Sequence, residues 1–260
     1  MITLNAYQLK WIAVIGMVLS HAAYALREML PFWLMVPMIA SGGLTYPIMG
    51  YFVTEGYKYT SNMKKYMMRL FVFGLISIPF YILTFRSFQF NIMFSIMLSI
   101  FMFILYDKVK FKFIFWLIFP LILVISLWFD WWIFGMIMML LYHIIRNETA
   151  RRVVPGVVFG ILYIPFVVFG IMSLTALEAV PGAEAQIEAF HNTWGNMDIL
   201  KAATAGTIGC ICAAILLKNY NGERGKRVKW LFYIAYPLHL LILGGLALAL
   251  GFIDLSLFGI

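Results

Sequence analysis

Apolar runs long enough to cross a bilayer follow one another along most of this chain. A helix needs about 20 residues to traverse a hydrocarbon layer of about 30 Å. Inside lipid every backbone N–H and C=O must find a partner within the protein, which a helix supplies from its own segment. Nine such runs can be read, at roughly 9–27, 32–56, 66–86, 89–106, 112–129, 131–146, 153–177, 199–218 and 229–252. Of the 260 residues, 64% are hydrophobic and only 12% charged, and the mean hydropathy is +0.94. Soluble domains carry about twice that share of charge. The expected fold is all-α: a polytopic transmembrane helix bundle of about nine spans, one domain over residues 1–260, multi-pass in the plasma membrane. The fifth and sixth runs meet at "WFDWW", read as a tight interfacial turn at Asp130. There is no internal repeat and no linker long enough for a second domain.

The first run lacks a basic leader and a small-x-small cleavage site, so it is expected to be a retained span. Charge orients the bundle. With Lys10, the loops after runs two, four, six and eight carry 16 of the 19 basic residues. The opposite side keeps Arg27, Arg86 and Lys201 with most of the acids, seven of them in Glu28, Asp130, Glu178, Glu184, Glu188, Asp198 and Asp254. By the positive-inside rule the basic side is cytoplasmic, the N-terminus inside and the C-terminus outside. The net charge of +8 is then an orientation signal rather than a nucleic-acid footprint. Cys210 and Cys212, two residues apart, point to different faces of one helix. They read as free core thiols, and no metal site is expected.

Ionisable residues inside such runs are candidates for function. His21 lies 11 residues beyond Lys10, about 16 Å up a helix, and His239 lies 9 residues beyond Trp230, about 14 Å. Both runs rise from the same side, so the two rings fall at similar depth. Either can also be plain interhelical glue, and His239 can answer carbonyls freed by Pro237. Glu55, closing the second run, is a site residue or an interfacial anchor. Arg69 contacts an anion or snorkels to headgroups. Asn91 caps its helix or faces a pore. His143 reads as interfacial, and His191 falls in the acidic loop "EAVPGAEAQIEAFHNTWGNMD", external and part-helical in expectation.

With these positions marked, the chain resembles the TraX family, membrane acetyltransferases named for a conjugative-pilus protein that acetylates the pilin N-terminus. They sit within the wider transmembrane acyltransferase group. "LKWIAVIGMVLSH" is similar to the family's opening helix and its histidine. "YPIMGYFVTEGYKYTSNMKKYMMRLFVFGLISIPF" resembles the second and third, with Pro47, Glu55, Gly56, Thr60, Tyr66, Arg69, Ser77, Pro79 and Phe80 in matching places. "FNIMFSIML" at Asn91, "FDWWIFG" at Asp130 and Gly135, and "YPLH" at His239 follow in order. Two positions depart. The family's Asp before the first histidine is Ser20 here, and the Arg of its "GRxAFP" stretch is Gly43. An acid and a base that pair in relatives would be lost together, since either alone would be stranded.

The resemblance implies transfer of an acetyl group from cytoplasmic acetyl-CoA to an amine or hydroxyl: a membrane-held peptide N-terminus, a glycan or a lipid. His21 would be the general base, with Glu55 and His239 in the catalytic set. Lys64, Lys65, Tyr66, Arg69, Asn91, Arg224 and Lys226 would hold the donor. The charge map agrees independently, because nucleotide phosphates need cations and the cytoplasmic loops supply them. Gly222 and Gly225 would let backbone amides approach a phosphate. With Ser20 beside it, His21 needs an orienting group from another segment. The partners expected are a CoA thioester, a membrane-associated or extracytoplasmic acceptor and the lipid bilayer; the oligomeric state stays open. Two other classes remain alternatives: a transporter or flippase, against which the missing repeat counts, and a non-catalytic membrane assembly factor.

Overall fold

The computed structural model describes residues 3–177, 199–226 and 230–252, and only the backbone of 170–177 and 199. The acidic segment with His191, and Arg227 and Lys229, lie outside these residues. The described chain forms nine helices and no strands. They are α1 (Ala6–Ala25), α2 (Phe32–Tyr59), α3 (Met63–Phe85), α4 (Ile92–Lys108), α5 (Lys112–Ser126), α6 (Trp132–Ile144), α7 (Glu148–Leu177), α8 (Ile199–Lys218) and α9 (Leu231–Ala249). Five of them, α2, α3, α7, α8 and α9, are long and apolar enough to cross a membrane.

Local chemistry sets several starts. Asn5 and Gln8 close a reciprocal capping box on α1, and Asn62 and Asn91 accept from N–H groups at the starts of α3 and α4. Each cap satisfies a donor that the helix leaves orphaned. Small residues then allow close approach, the usual device where lipid offers no hydrophobic drive between helices. The hydroxyls of Ser41 and Thr45 on α2 donate to Gly16 and Ala13 carbonyls of α1. On the other side of α2, Gly43 lies against Gly206 and Gly209 of α8. Large apolar side chains such as Phe113, Leu117 and Leu121 of α5 point outward. Buried polar residues such as Ser77, Asn91, Ser95 and Ser99 lie inside.

The region between α3 and α6 departs from a simple up-and-down bundle. At 15 and 13 residues, α5 and α6 rise about 22 and 20 Å, short of a bilayer's ~30 Å. The chain leaves α3 through Arg86, in the left-handed region at φ 56°, and turns back along it. Asn91 then donates to the Gly74 carbonyl at 2.8 Å, eleven residues before the end of α3. There Phe90 N–H donates to Trp128 O and Asp130 N–H to Phe90 O, at 2.9 and 2.8 Å. The turn at Asp130, expected at an interface, therefore lies inside the bundle, because its two helices are too short to carry it out. Irregular backbone at such depth is tolerated where it is paired in protein or lines a cavity, and both conditions hold here.

At the lysine-rich end, Leu4 and Tyr220 form an isolated bridge. The N-terminus thus ties down the 219–225 loop, where Gly222 (φ 84°) and Gly225 (φ 65°) take left-handed conformations.

Candidate functional site

A cavity of roughly 1310 Å³ runs through the bundle, lined from Lys10, Arg69, Arg224 and Lys226 at one end to Tyr24, Arg27 and Gln89 at the other. His21 stands in its wall. His21 Nδ1 lies 2.7 Å from His239 Nε2, the rings stacked at 4.9 Å and 27°, and His239 Nδ1 lies 2.8 Å from the Ala235 carbonyl. A carbonyl only accepts, so His239 carries its proton on Nδ1. Its Nε2, in the neutral ring, can then only accept, and His21 must donate from Nδ1. This leaves the lone pair of His21 Nε2 free for chemistry. Phe85 meets the His21 ring edge-on at 5.0 Å and Tyr236 at 6.4 Å, which fixes the plane of the imidazole.

The two histidines expected at similar depth are thus in direct contact, and His239 is the orienting group that Ser20 could not be. Ser20 donates to the Met17 carbonyl. A Cβ at Gly43 would collide with the Gly206 carbonyl and lie 2.9 Å from Gly209 Cα, so α8 occupies the place an arginine would need. At this level α1, α2 and α8 close together, Gly42 on Ser20 and Gly43 on Gly206 and Gly209.

The basic mouth is built differently from the centre. Lys10 Nζ lies over the rings of Phe52 and Phe232 at 4.9 and 5.7 Å. The Arg69 guanidinium stands between Tyr66 and Tyr233, at 5.9 and 5.6 Å, with its Nε buried and unpartnered. It forms no ion pair among the described residues. Arg224, Lys226, Gly222 and Tyr66 line the same mouth. Lys64 and Lys65 are exposed and off the cavity wall.

Glu55 also lines the mouth, but it accepts from Arg151 at 2.7 Å and lies 3.8 Å from Lys58. Thirteen residues separate it from Gly42, which packs on Ser20, so it stands about 20 Å from the histidine level. Asn91 is fully buried, capping α4 and tying it to α3, off the cavity wall. His143 pairs with Asp107 at 2.9 Å, and Tyr57 donates to the same carboxylate at 2.8 Å; neither histidine nor carboxylate lines the cavity. Lining groups that the sequence does not mark as site residues include Lys10, Tyr46, Asp130 and Tyr236. In the sequence Asp130 is visible as a turn residue and as part of the family-like "FDWWIFG", not as a site residue.

A helical membrane protein with one histidine held by a second in the wall of a long cavity defines the class. The model of the family described as "TraX protein" matches residues 5–247, and the chain belongs to that family. Among curated proteins, it is similar to the probable fimbrial assembly protein FimC, serogroup H1, of Dichelobacter nodosus. The two are 40% identical over 80 residues, 31% of this chain and 32% of the relative. The chain thus spans about a third of the length of the curated relative it matches. No solved structure matches the chain.

Proposed function

We propose that this protein is a membrane acetyltransferase that moves an acetyl group from cytoplasmic acetyl-CoA to an amine or hydroxyl acceptor. In this reading it lies in the plasma membrane with its N-terminus inside, and the nine helical segments follow the orientation set by the basic loops. The observation that carries the proposal is the hydrogen-bonded line Ala235–His239–His21, which ends in a free Nε2 in a cavity whose far end is basic. Arg69, Lys10, Arg224 and Lys226 take the nucleotide phosphates, and the thioester reaches His21 from below. His21 Nε2 removes the proton of the acceptor N–H or O–H as that atom attacks the thioester carbonyl. The tetrahedral intermediate collapses with cleavage of C–S, and the proton passes from His21 to the leaving CoA thiolate. The products are an acetyl amide or ester and free CoA. His239 keeps the tautomer and shares the transient charge.

The acceptor class that fits a TraX protein similar to a fimbrial assembly protein is a peptide N-terminus held at the membrane. The test is release of CoA from acetyl-CoA by purified protein with an acceptor peptide present. Turnover by wild type and its loss in His21→Ala is the expected result; none by wild type ends the proposal. The second reading, a non-catalytic part in fimbrial assembly, is favoured by the similarity to a probable fimbrial assembly protein and by Ser20 and Gly43 standing where the family resemblance implies an Asp and an Arg. It expects no turnover with either protein. Accumulation of a solute in vesicles would instead mark a transporter.

A further inference from the structure

Between the basic mouth and the histidine pair, the cavity wall holds a third set of polar groups that neither end uses. Trp131 stacks on Tyr46 at 4.4 Å. Tyr46 follows Thr45, whose hydroxyl donates to the Ala13 carbonyl at 2.9 Å. Ala13 lies three residues past Lys10 and eight short of His21, so this level is about 12 Å from His21 on the side of the mouth. Tyr236, one turn before His239, closes the gap, with its ring 5.4 Å from that of His239.

Asp130, Tyr46 and Tyr236 all line the cavity. Asp130 forms no ion pair among the described residues. The hydroxyls of Tyr46 and Tyr236 are buried and complete no hydrogen bond. Ser99, beside Tyr46, gives its proton to the Ser95 carbonyl instead. Tyr236 reaches toward the Ile92 backbone without closing a bond. Buried polar groups without partners are uncommon and costly. Two unpartnered hydroxyls, beside a carboxylate that the Trp131 backbone N–H meets and no cation neutralises, call for a ligand that is extended, neutral and carries both N–H donors and carbonyl acceptors.

We propose that Asp130, Tyr46 and Tyr236 bind the pantetheine arm of the donor. Asp130 accepts from an arm amide N–H, and the tyrosine hydroxyls donate to its carbonyls. The inference rests on the acetyl-CoA reading above and gives the arm a defined track from the Arg69–Lys10 mouth to His21 Nε2. The irregular backbone at 86–91 and 127–131 is then what opens the track, since a continuous helix there would fill it.

The test compares CoA with adenosine 3′,5′-bisphosphate, which keeps phosphates and adenine and has no arm. Asp130→Asn, Tyr46→Phe and Tyr236→Phe should each weaken CoA binding about three- to ten-fold, the worth of one hydrogen bond, and leave bisphosphate binding at the wild-type level. The unchanged bisphosphate affinity doubles as evidence of an intact fold. Unchanged CoA affinity in all three variants overturns the proposal. So does equal loss of both ligands, which would mean general damage. Normal CoA affinity with a raised acceptor KM in Asp130→Asn also overturns it, because the carboxylate would then hold an acceptor ammonium. Failure of wild type to bind CoA at all, with bisphosphate also unbound, ends the acetyl-CoA reading itself rather than the assignment of the arm.

Discussion

Two arginines near the basic end of the bundle live in opposite surroundings. Arg151 on α7 is 3% exposed and is met by Glu55 and Glu148, both at 2.7 Å, while Tyr51 donates to Glu148 at 2.6 Å. Arg69 on α3 has two tyrosine rings beside it, no carboxylate among the described residues, and a buried Nε without a partner. A buried cation met by its counter-ions is neutralised and adds rigidity, even though Arg151 Nη1 itself has no hydrogen-bond partner. A cation left beside aromatic faces keeps its charge available for an anion that has yet to arrive. The first is architecture and the second is a candidate site, although both residues sit in basic stretches that look alike in sequence.

The largest effect that tests this contrast lies at the end of the open line. His21→Ala should lower acetyl transfer about 10²–10⁴-fold, the usual worth of a general base and roughly 3–5 kcal/mol. CoA binding should persist. His239→Gln, which keeps bulk while removing the imidazole, should lose nearly as much, and the double variant no more than the worse single, since the rings act as a unit. Near-normal transfer by a well-folded His21→Ala protein would refute the base.

Next comes the closed network. Arg151→Met should cost about 2 kcal/mol of stability, read as a lower melting temperature in detergent. That is below the ~3–5 kcal/mol of a fully enclosed pair, because Glu148 is 47% exposed. Transfer per folded molecule should be retained. If transfer falls while the melting temperature holds, Arg151 belongs to the site and the contrast is misdrawn.

Arg69→Ala should do the reverse. Its melting temperature should stay near wild type, while CoA affinity falls about ten-fold through loss of a charge-assisted contact, with the loss shrinking at high salt. The smallest change is expected for Lys64→Ala and Lys65→Ala. Exposed charges off the cavity wall should alter CoA binding less than about two-fold, and a larger effect would extend the mouth outward along α3.

Much of this was legible from residue order. The depth match of His21 and His239 followed from counting helical rise from Lys10 and Trp230. The apolar runs gave nine helices close to the observed ones. The site was legible in its types and less so in its roles. Glu55 and Arg69 are both charged residues near the ends of adjoining apolar runs, and nothing local says that Arg151, 96 positions beyond Glu55, will neutralise one and not the other. Asn91 reads equally as cap or pore, and its bonds decide: Oδ1 accepts from Met93 N–H as the cap while Nδ2 donates to the Gly74 carbonyl. The turn at Asp130 looks interfacial in sequence because its flanking runs, read without tertiary contacts, each look long enough to cross, whereas α5 and α6 hold only 15 and 13 residues.

The sequence by itself determined the material: an all-helical chain with apolar surfaces, few charges, and two histidines at one depth. Hydrophobic run length, helical rise and charge bias are local quantities that need no partner to be read. Tertiary structure decided which of those groups are spent on one another. Only packing reveals that α8 closes directly on Gly43, or that Ala235 fixes the tautomer of His239 and through it that of His21. It also reveals that Tyr46, Asp130 and Tyr236 meet along a wall no single segment owns. A hydrogen bond or an ion pair is a relation between distant positions, and its presence is set by where the backbone brings them.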